Sequence, residues 1–225
     1  MRSLVVVSGG MDSATALWWA IDSGRDVPEV VSFDYGQRHR RELQSAAELA
    51  AACRIPHLVV DVPLAQLAPG SALTGDIEVP HGHYSAETMT ATVVPNRNMT
   101  FIALATARAA QLGCEEVVVG VHAGDHPIYP DCRPEFIDAI SAATQLAVGV
   151  KVTAPFVHML KSEICEAGDL LGVPWAETWS CYEGGAQHCG KCGTCVERAE
   201  AFADAGVHDP TVYTDPEYWK MVVSA

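Results

Sequence analysis

A β-branched run at residues 4–7 stops in Ser8-Gly9-Gly10, and Asp12-Ser13 then opens a helical pattern through Ala14, Thr15, Ala16, Leu17, Trp18 and Trp19. The run reads as a buried strand. Two glycines allow a tight turn and a close backbone approach to a ligand. Strand, glycine turn and helix start in this order aim unpaired N–H groups and the positive end of a helix dipole at one spot, which suits an anion. The hydroxyls of Ser8 and Ser13 add donors there.

The loop lacks the lysine of G-x-x-x-x-G-K-[ST] and does not fit G-x-G-x-x-G, so neither a Walker loop nor a dinucleotide site is expected. Its form, S-G-G-x-D-S, resembles the PP-loop of the ATP pyrophosphatase family. That resemblance implies a loop that holds the outer two phosphates of ATP, an attack on the α-phosphate, and an adenylated product with pyrophosphate. A purely structural turn is the competing reading.

Strand-like and helix-like stretches alternate from there on. Residues 29–33, 57–61, 116–121 and 153–156 read as further strands, and residues 40–53, 99–113, 134–148 and 162–171 as helices. Asn98 is the expected N-cap of the third helix and Lys161 begins the helix at 162–171. The alternation predicts an α/β fold with a parallel, doubly wound, five-stranded sheet. The polar stretch Asp34-Tyr35-Gly36-Gln37-Arg38-His39 and that from Gly124 to Arg133 both follow strands, where ligands of open α/β sheets sit. Residues 63–95 carry four prolines and three glycines with little periodicity and read as an active-site flap, with His81 and His83 as mobile, solvated histidines.

The 225 residues suffice for one large domain, residues 1–178, followed by a smaller module at 179–225. A net charge of −14 argues against a broad nucleic-acid face. The chain begins directly in a strand and charges interrupt its apolar runs, so a soluble cytoplasmic protein is expected, with no membrane partner.

Four of the eight cysteines fall within residues 181–195: Cys181, then Cys189, Cys192 and Cys195 as C-x-x-C-x-x-C. In a reducing compartment that crowding points to a metal in preference to disulfides. Four thiolates with interspersed glycines suit a closed tetrahedral zinc site with a folding role. An iron–sulfur cluster, a persulfide-carrying pair, and replacement of one cysteine by His188 are the alternatives. Cys53, Cys114, Cys132 and Cys165 read as small core residues, although Cys132 lies inside a polar stretch.

Taken in order, the loop, Asp34 to His39, Pro95-x-Arg97-Asn98, Tyr129-Pro130-Asp131-Cys132-Arg133-x-Glu135-Phe136 and the cysteine tail are similar to the 7-cyano-7-deazaguanine synthase (QueC) family. The resemblance covers roughly residues 1–203. It implies an adenine nucleotide alpha hydrolase-like fold and an enzyme that converts 7-carboxy-7-deazaguanine, ammonia and ATP to a nitrile, preQ0, through adenylated intermediates and an amide. It further implies Mg²⁺ with the ATP, one zinc ion on Cys181, Cys189, Cys192 and Cys195, and a homodimer. ATP is expected on Val7, Ser8, Gly9, Gly10, Met11, Asp12, Ser13, Ala14, Thr15, Ala16 and Leu17. Asp12, Arg97 and Lys161 are the expected catalytic residues, the latter two at the α-phosphate. Tyr129, Asp131 and Arg133 are expected on the deazapurine, with Asp131 on the ring edge and Arg133 on its carboxylate; capping of the next helix is the other reading of Asp131.

Asn96 and Ile128 stand where the family commonly has glycine, which leaves the product open between nitrile and amide. The rival readings are an amide-forming variant for DNA modification, a PP-loop enzyme with another acceptor such as a tRNA-thiolating enzyme, and a zinc-stabilised nucleotide-binding protein without activity.

Overall fold

The computed structural model describes residues 1–223; residues 224–225, the end of the expected module, lie outside the described residues. Five parallel strands, β1 (Ser3–Val6), β2 (Val30–Asp34), β3 (His57–Asp61), β4 (Glu116–Val118) and β5 (Lys151–Thr153), form one sheet in the order β3-β2-β1-β4-β5. The chain winds outward from β1 in both directions, so the switch in strand order falls between β1 and β4. A crevice opens there at the carboxyl ends of the strands.

The two-residue period of a strand distributes its side chains over both faces. Leu4, Val31, Phe33 and Val117 join one core with α5 (Arg97–Gln111) and α6 (Pro134–Val148). Val5, Val7, Val30 and Val118 join the other with α1 (Met11–Asp22), α2 (Arg41–Ala52), α7 (Lys161–Leu170) and α8 (Gly193–Asp204). The central strands are apolar on both sides because helices cover both sides.

The larger boundary differences from the sequence reading fall at β5, β4 and α5. β5 spans Lys151–Thr153, ahead of the expected 153–156, because the chain pairs with β4 from Lys151 and Pro155 has no N–H to extend the ladder. β4 pairs only as far as Val118. Helix α5 begins two residues earlier than expected, with Asn96 at the N-cap in the left-handed region (φ 57°), so Asn98 is inside the helix.

Residues 63–95 carry short helices α3 (Leu64–Leu67) and α4 (Ala86–Met89) and pack Leu73, Val79 and Met89 into the interior. His81 and His83 are half-exposed but partnered: His81 Nε2 is 3.0 Å from Glu183 Oε1 and His83 Nε2 3.6 Å from Glu200 Oε2. Sequence spacing cannot reveal carboxylates more than a hundred residues away. Beyond residue 206 the chain returns over the cysteine module. Thr214 N–H donates to the His188 carbonyl (2.8 Å), and the buried Arg198 donates to Asp209, which also accepts from Tyr213 OH (2.6 Å). Helix α9 (Tyr218–Val223) ends the described chain.

Candidate active site

At the end of β1 the backbone turns through Gly9 at φ 94°, a region L side chains rarely enter. A Cβ on Gly9 would lie 2.2 Å from the Glu42 carbonyl oxygen, so the turn is seated on the start of α2. Gly120, just past β4, plays the matching part: a Cβ there would lie 2.9 Å from the Asp12 backbone. These two contacts fix the first turn of α1 over the crevice. Gly10 caps α1 without a side-chain hydrogen bond, and the first intrahelical bond begins at Ala14 N–H. The N–H groups of Met11, Asp12 and Ser13 therefore lack intrahelical acceptors, as anion sites at helix starts require. Ser8 and Ser13 brace the loop: their hydroxyls are 3.0 Å apart, Ser8 N–H donates to Ser13 Oγ (3.1 Å), and Ser13 Oγ donates to the Gly10 carbonyl (3.0 Å).

The loop forms one wall of a cavity of about 220 Å³. Lys161 projects into it from the first position of α7. A cation at a helix N-terminus opposes the dipole, and here three acids compensate. Lys161 Nζ is 2.7 Å from Asp12 Oδ2 and 3.1 Å from Glu197 Oε2, with Asp125 nearby. Burial works against the ammonium, yet Asp12, Glu197 and Asp125 hold it well above its ordinary value. Burial pushes the Glu197 carboxyl up, against the pull of Lys161 and His122. Asp125 is also buried, but His122, Lys161 and the Tyr84 hydroxyl (2.8 Å) hold its carboxyl below the usual range.

His122 stands behind this group. Its Nδ1 accepts the Gly124 N–H (3.1 Å), and its Nε2 lies 3.3 Å from Lys161 Nζ, 3.5 Å from Asp125 Oδ2 and 3.9 Å from Asp12 Oδ2. Asp12 Oδ1 is buried without a hydrogen-bond partner. An unpaired anionic oxygen beside a phosphate-sized site fits a magnesium ligand, because a hard cation seeks oxygen donors.

A second lobe lies on the α5 side of the sheet. Phe33 and Phe101 stack there at 4.3 Å, and Tyr35, Tyr84, Tyr129 and Tyr182 complete the wall. Arg97, the first residue of α5, places its guanidinium over the Tyr129 ring at 5.8 Å from the centroid. Among the described residues no carboxylate comes within ion-pair distance of it.

The structure thus brings Val7, Ser8, Gly10, Met11, Asp12, Ser13, Arg97, Tyr129 and Lys161 to one cavity. Gly9, Ala14, Thr15, Ala16 and Leu17 are buried behind it; Thr15 Oγ1 donates to the Met11 carbonyl (2.9 Å) and the others serve packing. Asp131 and Arg133 do not line the cavity. Asp131 Oδ2 accepts the Asn98 N–H (3.0 Å), so it caps α5 from another element. Arg133 is exposed and donates to the His126 carbonyl (2.9 Å). Tyr35, Tyr84, Asp125, Tyr182 and Glu197 line the cavity without having been singled out by sequence. Asp125 and Tyr35 lie in the two polar stretches that follow strands. Tyr182 and Glu197 flank metal-type cysteines and carried no signal of their own.

The sulfurs of Cys181, Cys189, Cys192 and Cys195 lie within 4.8 Å of one another, a group able to hold a metal ion. Cys189 and Cys195 Sγ are 3.9 Å apart, close to the roughly 3.8 Å edge of a tetrahedron with 2.3 Å metal–sulfur bonds. Backbone N–H groups of Lys191 and Cys192 point at Cys189 Sγ (3.3 and 3.2 Å), and that of Cys189 at Cys181 Sγ (3.3 Å), as suits thiolates. Helix α8 grows from this knuckle and carries Thr194 and Glu197 to the cavity.

A family model described as "Queuosine biosynthesis protein QueC" matches residues 2–206. The chain is 52% identical to a 7-cyano-7-deazaguanine synthase of Rhizobium leguminosarum bv. trifolii, over 100% of this chain and 97% of that protein. It is 49% identical to one of Brucella anthropi, over 99% and 98%. Among solved structures, an NMN synthetase from Francisella tularensis shares the fold with a TM-score of 0.54 at 18% identity, over 99% of this chain and 83% of that one.

Proposed function

The chain belongs to the QueC family, and from that premise we propose that it converts 7-carboxy-7-deazaguanine, ammonia and ATP to 7-cyano-7-deazaguanine. The observation that carries this reading is the Lys161–Asp12 pair standing at the open N-terminus of α1 (2.7 Å). It joins a phosphate-binding turn to a buried cation, and the aromatic lobe beside it suits a flat heterocycle.

ATP lies with its outer phosphates on the N–H groups of the turn and of the first residues of α1. A substrate carboxylate oxygen attacks the α-phosphorus and pyrophosphate leaves. Ammonia then attacks the acyl carbon, loses a proton, and AMP leaves, giving the amide. In a second round the amide oxygen attacks the α-phosphorus of another ATP. Loss of AMP and of the nitrogen-bound protons gives the nitrile. Lys161, aimed by Asp12 and Glu197, stabilises the charge that grows on the α-phosphate in each round. Asp12 Oδ1 would hold Mg²⁺, which offsets phosphate charge when bound. Asp131 acts at one remove, by holding the start of α5 and with it Arg97; Tyr129 lies against the ring.

The four cysteines hold a zinc ion with a structural role, since four sulfur ligands leave no open position. The enzyme works in the cytoplasm as a homodimer on a small-molecule substrate. Support for the non-membrane setting is that no helix among the described residues is long and apolar enough to cross a membrane.

The test is a mass-spectrometric assay with 7-carboxy-7-deazaguanine, ammonium, ATP and Mg²⁺ beside an Asp12→Ala control. Nitrile with two AMP per product is expected from the wild type and none from the control. A persistent amide with one AMP would assign the amide-forming activity. No product from folded, metal-loaded protein would overturn the substrate.

A further inference from the structure

Two cations face the cavity, and they differ in how they are compensated. Lys161 has Asp12 and Glu197 within 3.1 Å and is part of a closed charge group. Arg97 forms no ion pair among the described residues, and Asp125 acts on it only from beyond ion-pair distance. Its nearest polar neighbours are phenols. Burial pushes Tyr35, Tyr129 and Tyr182 up, so they stay protonated and do not neutralise a guanidinium. A guanidinium is always charged, and holding one away from water without a counter-ion is costly. The missing partner is an anion that arrives with the ligand.

Which anion is decided by where Arg97 stands. The triphosphate site lies at the start of α1, on the sheet face covered by α1 and α7. Arg97 opens α5 on the other face, among Phe33, Tyr35, Phe101 and Tyr129. Helix α5 is itself pinned by Asp131 through Asn98 N–H, so the guanidinium is aimed from a fixed base. A planar fork in an aromatic slot matches a carboxylate borne on a flat ring.

We infer that Arg97 is the residue that binds the carboxylate of the acceptor and so makes the site select an aromatic acid over its neutral amide. This inference rests on the proposed function and deepens it. It moves Arg97 from the α-phosphate, where sequence placed it, and gives it the role sequence assigned to Arg133. Once ammonia has replaced the carboxylate oxygen, the anion is gone and Arg97 loses its partner. The amide is then held by the aromatic wall and the turn-bound ATP, and the second round depends less on Arg97 than the first.

The experiment compares Arg97→Gln and Arg97→Lys with wild type in equilibrium binding of 7-carboxy-7-deazaguanine and of 7-amido-7-deazaguanine, with thermal melting as a fold control. The expected result is a loss of roughly 10- to 100-fold in acid affinity for Arg97→Gln, with amide affinity changed less than about threefold. Arg97→Lys should fall between, since it keeps the charge and loses the fork. If Arg97→Gln does not fold, the acid-to-amide ratio of Arg97→Lys decides. Equal losses for acid and amide, or no loss for either, in folded protein would overturn the inference. Turnover is read separately: acid-selective binding that depends on Arg97 without any product would overturn the proposed reaction and leave this role of Arg97 standing.

Discussion

Glu197 Oε2 lies 3.1 Å from Lys161 Nζ, although Glu197 belongs to the helix that grows from the cysteine knuckle and Lys161 to a helix packed on the sheet. The contact ties the metal-type module to the charge group over α1. Removing the metal with a chelator should therefore loosen α8, withdraw Glu197, and lower both stability and AMP release. A structural metal contributes several kcal/mol, which for a chain of this size is a fall in Tm of about 10 °C or more. Metal content, melting and AMP release should fall together, and Cys195→Ser should reproduce the effect. An enzyme that keeps its Tm and activity at zero metal would contradict this.

Lys161→Met should reduce AMP formation by roughly 100- to 1000-fold, because a buried cation at the site of developing charge is lost. Glu197→Gln should cost less, since Asp12 still holds the ammonium at 2.7 Å. The check is AMP and pyrophosphate release at saturating ATP. Equal losses in the two variants would mean that Glu197 has a role besides aiming Lys161.

Gly9→Ala should destabilise the protein by about 2 kcal/mol or more, from both a positive φ and a new atom 2.2 Å from the Glu42 oxygen. ATP binding should weaken in the same variant. Gly24 offers the comparison: it also has a positive φ, but a Cβ there meets nothing within 4 Å. Gly24→Ala should therefore show a smaller fall in Tm and unchanged ATP affinity.

Glu116 is wholly buried at the amino-terminal end of the sheet, where it accepts from Arg25 (2.7 Å), Ser3 (2.6 Å) and Thr153 (2.6 Å) and pairs with Lys151 (3.2 Å). Burial alone would raise its carboxyl, but these donors lower it from 4.5 to about 2. A depressed folded value means that the carboxylate stabilises the fold above about pH 4.5 and that this contribution is lost as pH falls toward 2. Its size is on the order of 3 kcal/mol. Glu116→Gln should thus be less stable at pH 7, and urea unfolding should show the gap to wild type narrowing between pH 5 and pH 2. A gap independent of pH would assign the network a packing role only.

Local patterns made much of the molecule legible. Alternating strand and helix periods specify the parallel sheet, helix α6 begins and ends where its periodicity does, and the spacing of Cys189, Cys192 and Cys195 brings three sulfurs together whatever surrounds them. The loop and the Pro95-x-Arg97-Asn98 motif led to Asp12 and Arg97, and the family resemblance to Lys161; the three meet in one cavity. The long segment at 63–95 was harder to read because its order comes from distant partners such as Glu183 and Glu200.

Asp131 and Arg133 sit in a telling motif, yet sequence could not say which way their side chains turn: Asp131 folds back on α5, and Arg133 points outward. By itself the sequence determined that a glycine turn would meet a helix start, that five parallel strands would carry it, and that four thiols would gather. These depend on near neighbours and on the period of the backbone. Only the tertiary structure decided that Lys161 is paired directly with acids and that Arg97, among the described residues, is not. Compensation is a sum over charges from helices far apart in the chain, and that sum exists only once they have packed.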